Sequence, residues 1–119
     1  MATPQENTAK RMAADILIAL IHNGRLVPIH DDNQEILAQR QNQVFEEAYQ
    51  GLIDLIKAVK IKETSIKRAA ADVLIAAIHE GRYYPNPVAP EDQVKAQLQI
   101  LAQAYQSLVN ALMKAAKDE

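Results

Sequence analysis

Cysteine is absent from the 119 residues, and so is tryptophan. Without cysteine there are no disulfides and no thiolate chemistry, which fits a reducing compartment; cytoplasmic residence is the expectation. Three Gly and five Pro are too few for the many turns of an all-β chain. No unbroken apolar run is longer than Ile16–Ile21, far short of the ~20 residues that cross a bilayer, so no membrane partner is expected. The opening MATPQENTAK lacks the basic-then-apolar layout of a signal peptide. An excess of positive charge is missing too: 13 Lys and Arg stand against 15 Asp and Glu, a net charge of −2. Proteins that neutralise phosphates are usually basic, so nucleic acid is not an expected partner.

Catalytic and metal signatures are equally scarce. There is no Glu-x-x-His or His-Glu-x-x-His pair, no glycine-rich phosphate loop and no serine with an evident base. Asp15 and His22 lie seven positions apart on one helix stripe, about 10 Å along the axis, too far to share a metal unaided. The expectation is a protein that is not an enzyme, with no cofactor and no metal.

What the chain does contain is 49% hydrophobic residues and an abundance of the strong helix formers Ala, Leu, Gln, Glu and Lys. Thr3-Pro4-Gln5-Glu6 reads as a capped helix start with proline at the first helical position. Met12, Ala13, Ile16, Leu17, Leu20 and Ile21 follow at helical spacing, and Gly24 suits the left-handed residue that closes a helix. Asp31 or Asp32 can cap a second helix, whose apolar positions Leu37, Val44, Ala48, Leu52, Leu55 and Val59 carry it to about Lys60. A third helix begins near Thr64 or Ser65 and stops before Gly81. Pro85, Pro87 and Pro90 mark the next connector. The fourth helix has the cleanest stripe: Val94, Leu98, Leu101, Tyr105, Leu108, Leu112.

The same hairpin is written twice. Lys10–Pro28 and Lys67–Pro85 share 13 of 19 aligned positions, including the helix end His-x-Gly-Arg. AYQGLIDLI, from Ala48, returns as AYQSLVNAL, from Ala104, with the offset shortened from 57 to 56. The expected fold is all-α: one domain over 1–119, an up-down-up-down four-helix bundle of two tandem hairpins at about 8–60 and about 65–117. The junction Lys57–Arg68 holds no Gly or Pro. Fusion of helices two and three, with hairpins exchanged between two chains, is therefore the alternative arrangement.

In such a bundle the first and third connectors share one end. His22 and Arg25 then approach His79 and Arg82, with Tyr83 and Tyr84 nearby. Two guanidinium forks, two imidazoles and two rings form a candidate site for a small anionic or nucleotide-like ligand. A second stripe, Asp15, Ile18, Asp72 and Ile75, is a candidate interaction surface. The plain reading of the repeated end is a helix stop copied with its gene segment. Its arginines would then pair with Asp31, Asp32, Glu35, Glu80, Glu91 or Asp92. The basic group Lys57, Lys60, Lys62, Lys67 and Arg68 falls at the opposite end and reads as solvation and helix-end complementation. The leading functional expectation is a small soluble interaction module, an adaptor, inhibitor or regulatory subunit, that self-associates or binds a protein partner. The alternative is the ligand binder at the twin connector end.

Overall fold

A computed structural model describes residues 4–26 and 32–117, apart from the side chains of 4–6 and 90. Those residues are all-α: α1 (Pro4–His22), α2 (Gln34–Ala58), α3 (Thr64–His79) and α4 (Gln93–Lys117), with one 3-10 turn, Pro90–Asp92, leading into α4. No strand occurs among the described residues. None of the described helices is long and apolar enough to cross a membrane. α1 packs on α2 and α3, and α4 packs on the same two.

Local chemistry sets the boundaries. Pro4 opens α1; the expected cap Thr3 and the side chain of Glu6 lie outside the described residues. α2 is capped by Asn33, not by Asp31 or Asp32. The Asn33 side-chain oxygen accepts from the N–H groups of Glu35 (3.0 Å) and Ile36 (3.3 Å). Asn caps as well as Asp, and this register places Glu35 in the first turn, where the helix dipole favours an acid. Asp31 is outside the described residues. α2 stops at Ala58, two residues short of expectation, because Val59 adopts extended backbone and buries its side chain. α2 and α3 are therefore separate helices; the fused helix is not formed.

The twice-written helix ends close identically. Gly24 and Gly81 have φ of +65° and +81°. Gly24 N–H donates to Ile21 O and Arg25 N–H to Leu20 O; Gly81 N–H donates to Ile78 O and Arg82 N–H to Ala77 O. This double clasp is the Schellman stop, and it requires the left-handed φ that glycine adopts without strain. The repeated His-x-Gly-Arg is thus a helix terminator in both places.

Two side-chain clasps also occur in each hairpin. Tyr49 donates its hydroxyl to Lys10 O (3.4 Å), and Tyr105 donates to Lys67 O (3.3 Å). Gln41 donates to Leu26 O (3.3 Å), and Gln97 donates to Tyr83 O (3.0 Å). Each pair ties a helix to the one before it, at one end through tyrosine and at the other through glutamine. Burial pushes the Tyr105 phenol up to about 12. The unfolded chain releases that proton near the ordinary value of about 10. The stabilisation is therefore intact below pH 10 and is lost as pH rises through 12, on the order of 2 kcal/mol in all. Denaturant melts at pH 9, 10, 11 and 12 should show that loss, and Tyr105→Phe should remove its share of the slope.

Gly51 sets the approach of α2 to α4. A Cβ at this position would collide with the end of the Leu98 side chain. Gly51→Val should therefore cost about 1–3 kcal/mol by overpacking. The double variant Gly51→Val/Leu98→Ala should recover part of that cost, which a double-mutant cycle in urea would measure.

The two repeated helices do not bury the same face. α1 buries Met12, Ile16 and Leu20; α3 buries Ala70, Leu74 and Ile78. In repeat-equivalent positions α3 is turned by one residue, about 100°. The reason lies in volume. Positions equivalent to Met12 and Leu20 are Ala69 and Ala77, so the large side chains left to α3 sit one place on. The expectation that Ile21 joins the core is corrected by the same fact: Ile21 is 43% exposed, while its equivalent, Ile78, is fully buried.

Candidate functional site

The α1 stop delivers Arg25 to the interior. The residue is 2% exposed, the largest fully buried side chain of the described chain. Its repeat equivalent, Arg82, is exposed. The difference follows from what comes next in sequence. After Arg82, Tyr83 and Tyr84 replace the Leu-Val pair that follows Arg25. Tyr83 takes φ +62°, uncommon for a residue with a side chain, and its carbonyl is held by the buried Gln97. That turn leads into Tyr84, whose ring lies against the Arg25 guanidinium, 3.8 Å from its carbon to the ring centroid. The Tyr84 hydroxyl donates to Asn23 O at 3.3 Å, which fixes the ring's position. A guanidinium over an aromatic face at this distance is a cation–π pair.

Beyond that stack, Arg25 has one hydrogen-bond partner. Nη2 donates to Ile78 O at 3.1 Å. Nε and Nη1 are buried and have none among the described residues. No acid among the described residues forms an ion pair with Arg25, so the pairing anticipated with nearby acids is not made within them. Buried guanidinium groups are normally paired, because the cost of removing the charge from water is several kcal/mol. Arg25 is one of the residues lining a cavity of about 290 Å³ whose walls include Tyr84, Pro87, Val88, Gln93 and Gln97. The amide nitrogens of Gln93 and Gln97 donate to Arg25 O and Tyr83 O. The lining thus combines an arginine, a tyrosine, two glutamine amides and the apolar Pro87 and Val88.

The other sequence-selected residues fall outside it. His22 and His79 are exposed, and the His79 Nδ1 meets the Asn23 side-chain nitrogen at 3.1 Å. That contact joins the two helix ends, so the first and third connectors do lie together. Neither imidazole borders the cavity. Tyr83 is half-buried and contributes its carbonyl.

The second candidate stripe divides likewise. Arg68 holds Asp15 (2.7 Å) across the α1–α3 contact and Asp72 (3.1 Å) on its own helix, and Arg11 adds a longer contact to Asp15 (3.4 Å). The hydrogen bond to Asp15 is the main cause holding the Arg68 guanidinium above its ordinary range. Asp15 thus bridges helices internally, while Asp72 and Ile18 face solvent and Ile75 is half-buried. No group of three metal-ligating side chains occurs among the described residues.

Sequence reasoning missed Gln93 and Gln97. The signal for Gln97 was available: it repeats Gln41 at the offset of 56 that relates the later blocks. The asymmetry of the arginines was not, since it depends on a tyrosine turn. The chain matches no family model, no curated protein and no solved structure.

Proposed function

We propose that the chain is an up-down-up-down bundle of two repeated hairpins that binds a small carboxylate- or phosphate-bearing ligand in the Arg25 cavity. One observation carries this reading: Arg25, 2% exposed and with Nε and Nη1 unpartnered among the described residues, lines a cavity of about 290 Å³. Both nitrogens are closed to solvent in the ligand-free chain, so a shift of the guanidinium or of the connector over it precedes their pairing with an anion. Pro87 and Val88 favour a ligand with an apolar or planar body. The volume is at the small end for ligand sites, which run to about 300–1,000 Å³. No residue at the site is proposed to catalyse a reaction, and cytoplasmic residence stays part of the reading.

Thermal unfolding with benzoate, inorganic phosphate and a nucleoside monophosphate tests it. A ligand present at one hundred times its Kd adds about 2.7 kcal/mol to the native state. One of the three should raise the melting point of the parent and of Arg82→Met, and leave Arg25→Met unmoved. Equal shifts in both variants, or no shift in any protein, would remove the reading.

A protein-interaction role is the second reading, supported by Ile18 at 51% and Ile21 at 43% exposure on one side of α1. Here the occupant is a second copy of the chain or a protein partner. Sedimentation of the parent beside Ile18→Lys separates the two: a concentration-dependent rise in mass that Ile18→Lys abolishes supports self-association.

A further inference from the structure

At the other end of α1, a larger cavity opens where the start of α1 meets the end of α2 and the start of α3. Its volume is about 370 Å³. Met12, Ile56 and Val59, all buried, and the half-buried Ile61 form its apolar floor. Lys57, Lys60, Lys62 and Lys67 line it as well, and no acidic side chain among the described residues does. Four ammonium groups around one apolar space are out of proportion in a chain of net charge −2.

Helix-end complementation explains part of this group. Lys57 is in the last turn of α2, where a cation suits the dipole. Lys67 donates to Ile56 O at 3.4 Å, which caps the same helix. Yet Lys67 sits in the first turns of α3, where the dipole opposes a cation, and that first turn holds no acid. Burial and the neighbouring Lys60 pull the Lys67 ammonium below its ordinary range. None of the four lysines forms an ion pair among the described residues. Each ammonium has three donors, so most of the donor capacity here is unspent. Arg68, grouped with these lysines in the sequence, turns away to Asp15 and Asp72.

We propose that this cavity binds a single-chain amphiphilic anion, a medium-chain acyl carboxylate, with its tail against Met12, Ile56 and Val59 and its carboxylate among Lys57, Lys60, Lys62 and Lys67. The apolar floor selects the tail, and the uncompensated lysines select the charge. The site is independent of the Arg25 cavity, separated from it by roughly 15 Å, the rise of α1 between Met12 and His22.

Calorimetric titration of the full chain with decanoate, below the concentration at which it self-assembles, is the test. Saturable binding at a site that Lys60→Gln/Lys67→Gln removes is expected. Decanol should bind at least tenfold more weakly, as should decanoate to Lys60→Gln/Lys67→Gln. Arg25→Met should keep the binding step that Lys60→Gln/Lys67→Gln removes. Raising the salt from 0.05 to 0.5 M should weaken decanoate binding, a readout that needs no variant. Four results would overturn the proposal: no binding of decanoate; equal binding of decanol; phosphate ion competing as well as decanoate; or binding to vesicles of anionic phospholipid with none to the monomeric acid.

Discussion

Arg25→Met is expected to leave the ligand-free protein as stable as the parent, or more stable, while abolishing its response to anions. The methionine side chain follows the unbranched stem of arginine and fills similar space. What it removes is one hydrogen bond to Ile78 O and the stack against Tyr84. These are worth about 1–3 kcal/mol and about 2 kcal/mol respectively when desolvated. What it relieves is a buried charge with no acidic partner among the described residues, a penalty of several kcal/mol. Replacing buried charge by well-packed apolar groups is often neutral or stabilising, which is the familiar conflict between binding and stability. Arg82→Met, at an exposed position, should change stability by no more than about 0.5 kcal/mol. Urea melts of the three proteins without ligand give the comparison. A loss of 3 kcal/mol or more in Arg25→Met would show that the guanidinium is structural.

Ile16→Ala should cost about 2–5 kcal/mol, the range for emptying a buried aliphatic site. Its repeat equivalent, Val73→Ala, should cost within about 0.5 kcal/mol. Ile16 has no exposure and Val73 is 45% exposed, although 57 positions relate them and the surrounding sequence is nearly the same. The contrast is large because α3 is turned relative to α1. Urea denaturation of the two variants measures it directly. Equal costs would mean that the helices bury equivalent faces and that the rotation is absent.

The helices were legible in the sequence because helix signals are local. Pro4, the apolar spacing, Gly24 and Gly81 each act within a few residues. The four-three stripe of α4 found Leu101 and Tyr105 in the core for the same reason. The face that α1 and α3 each bury was less legible. With Ile16, Leu17, Leu20 and Ile21 all apolar, the periodicity covers two overlapping faces, and only packing volume chooses between them. The substitutions that decide, Met12 to Ala69 and Leu20 to Ala77, stand in the sequence among the six positions of nineteen that differ.

The candidate site was legible only in part. The meeting of the two connectors follows from topology, but of the six residues selected from the sequence only Arg25 and Tyr84 line the cavity. Its asymmetry was hidden, because two identical Gly-Arg pairs look alike until a tyrosine at φ +62° turns the second connector over the first arginine. The two clasps made by Gln41 and Gln97 were hidden for another reason. Glutamine in a helix usually signals solvent, and its use as a donor to a connector carbonyl depends on a partner 14 or 15 residues away.

Arginine side-chain resonances give the most direct test of the claim that only the first copy of the repeated end is a binding group. In nitrogen-15 spectra at near-neutral pH, the Nε–H of Arg25, assigned by its loss in Arg25→Met, should be protected from exchange with water. It should move and saturate as benzoate or phosphate is added, while the Nε–H of Arg82 stays still. Parallel, unsaturating shifts at both arginines, or movement at Arg82 alone, would contradict it.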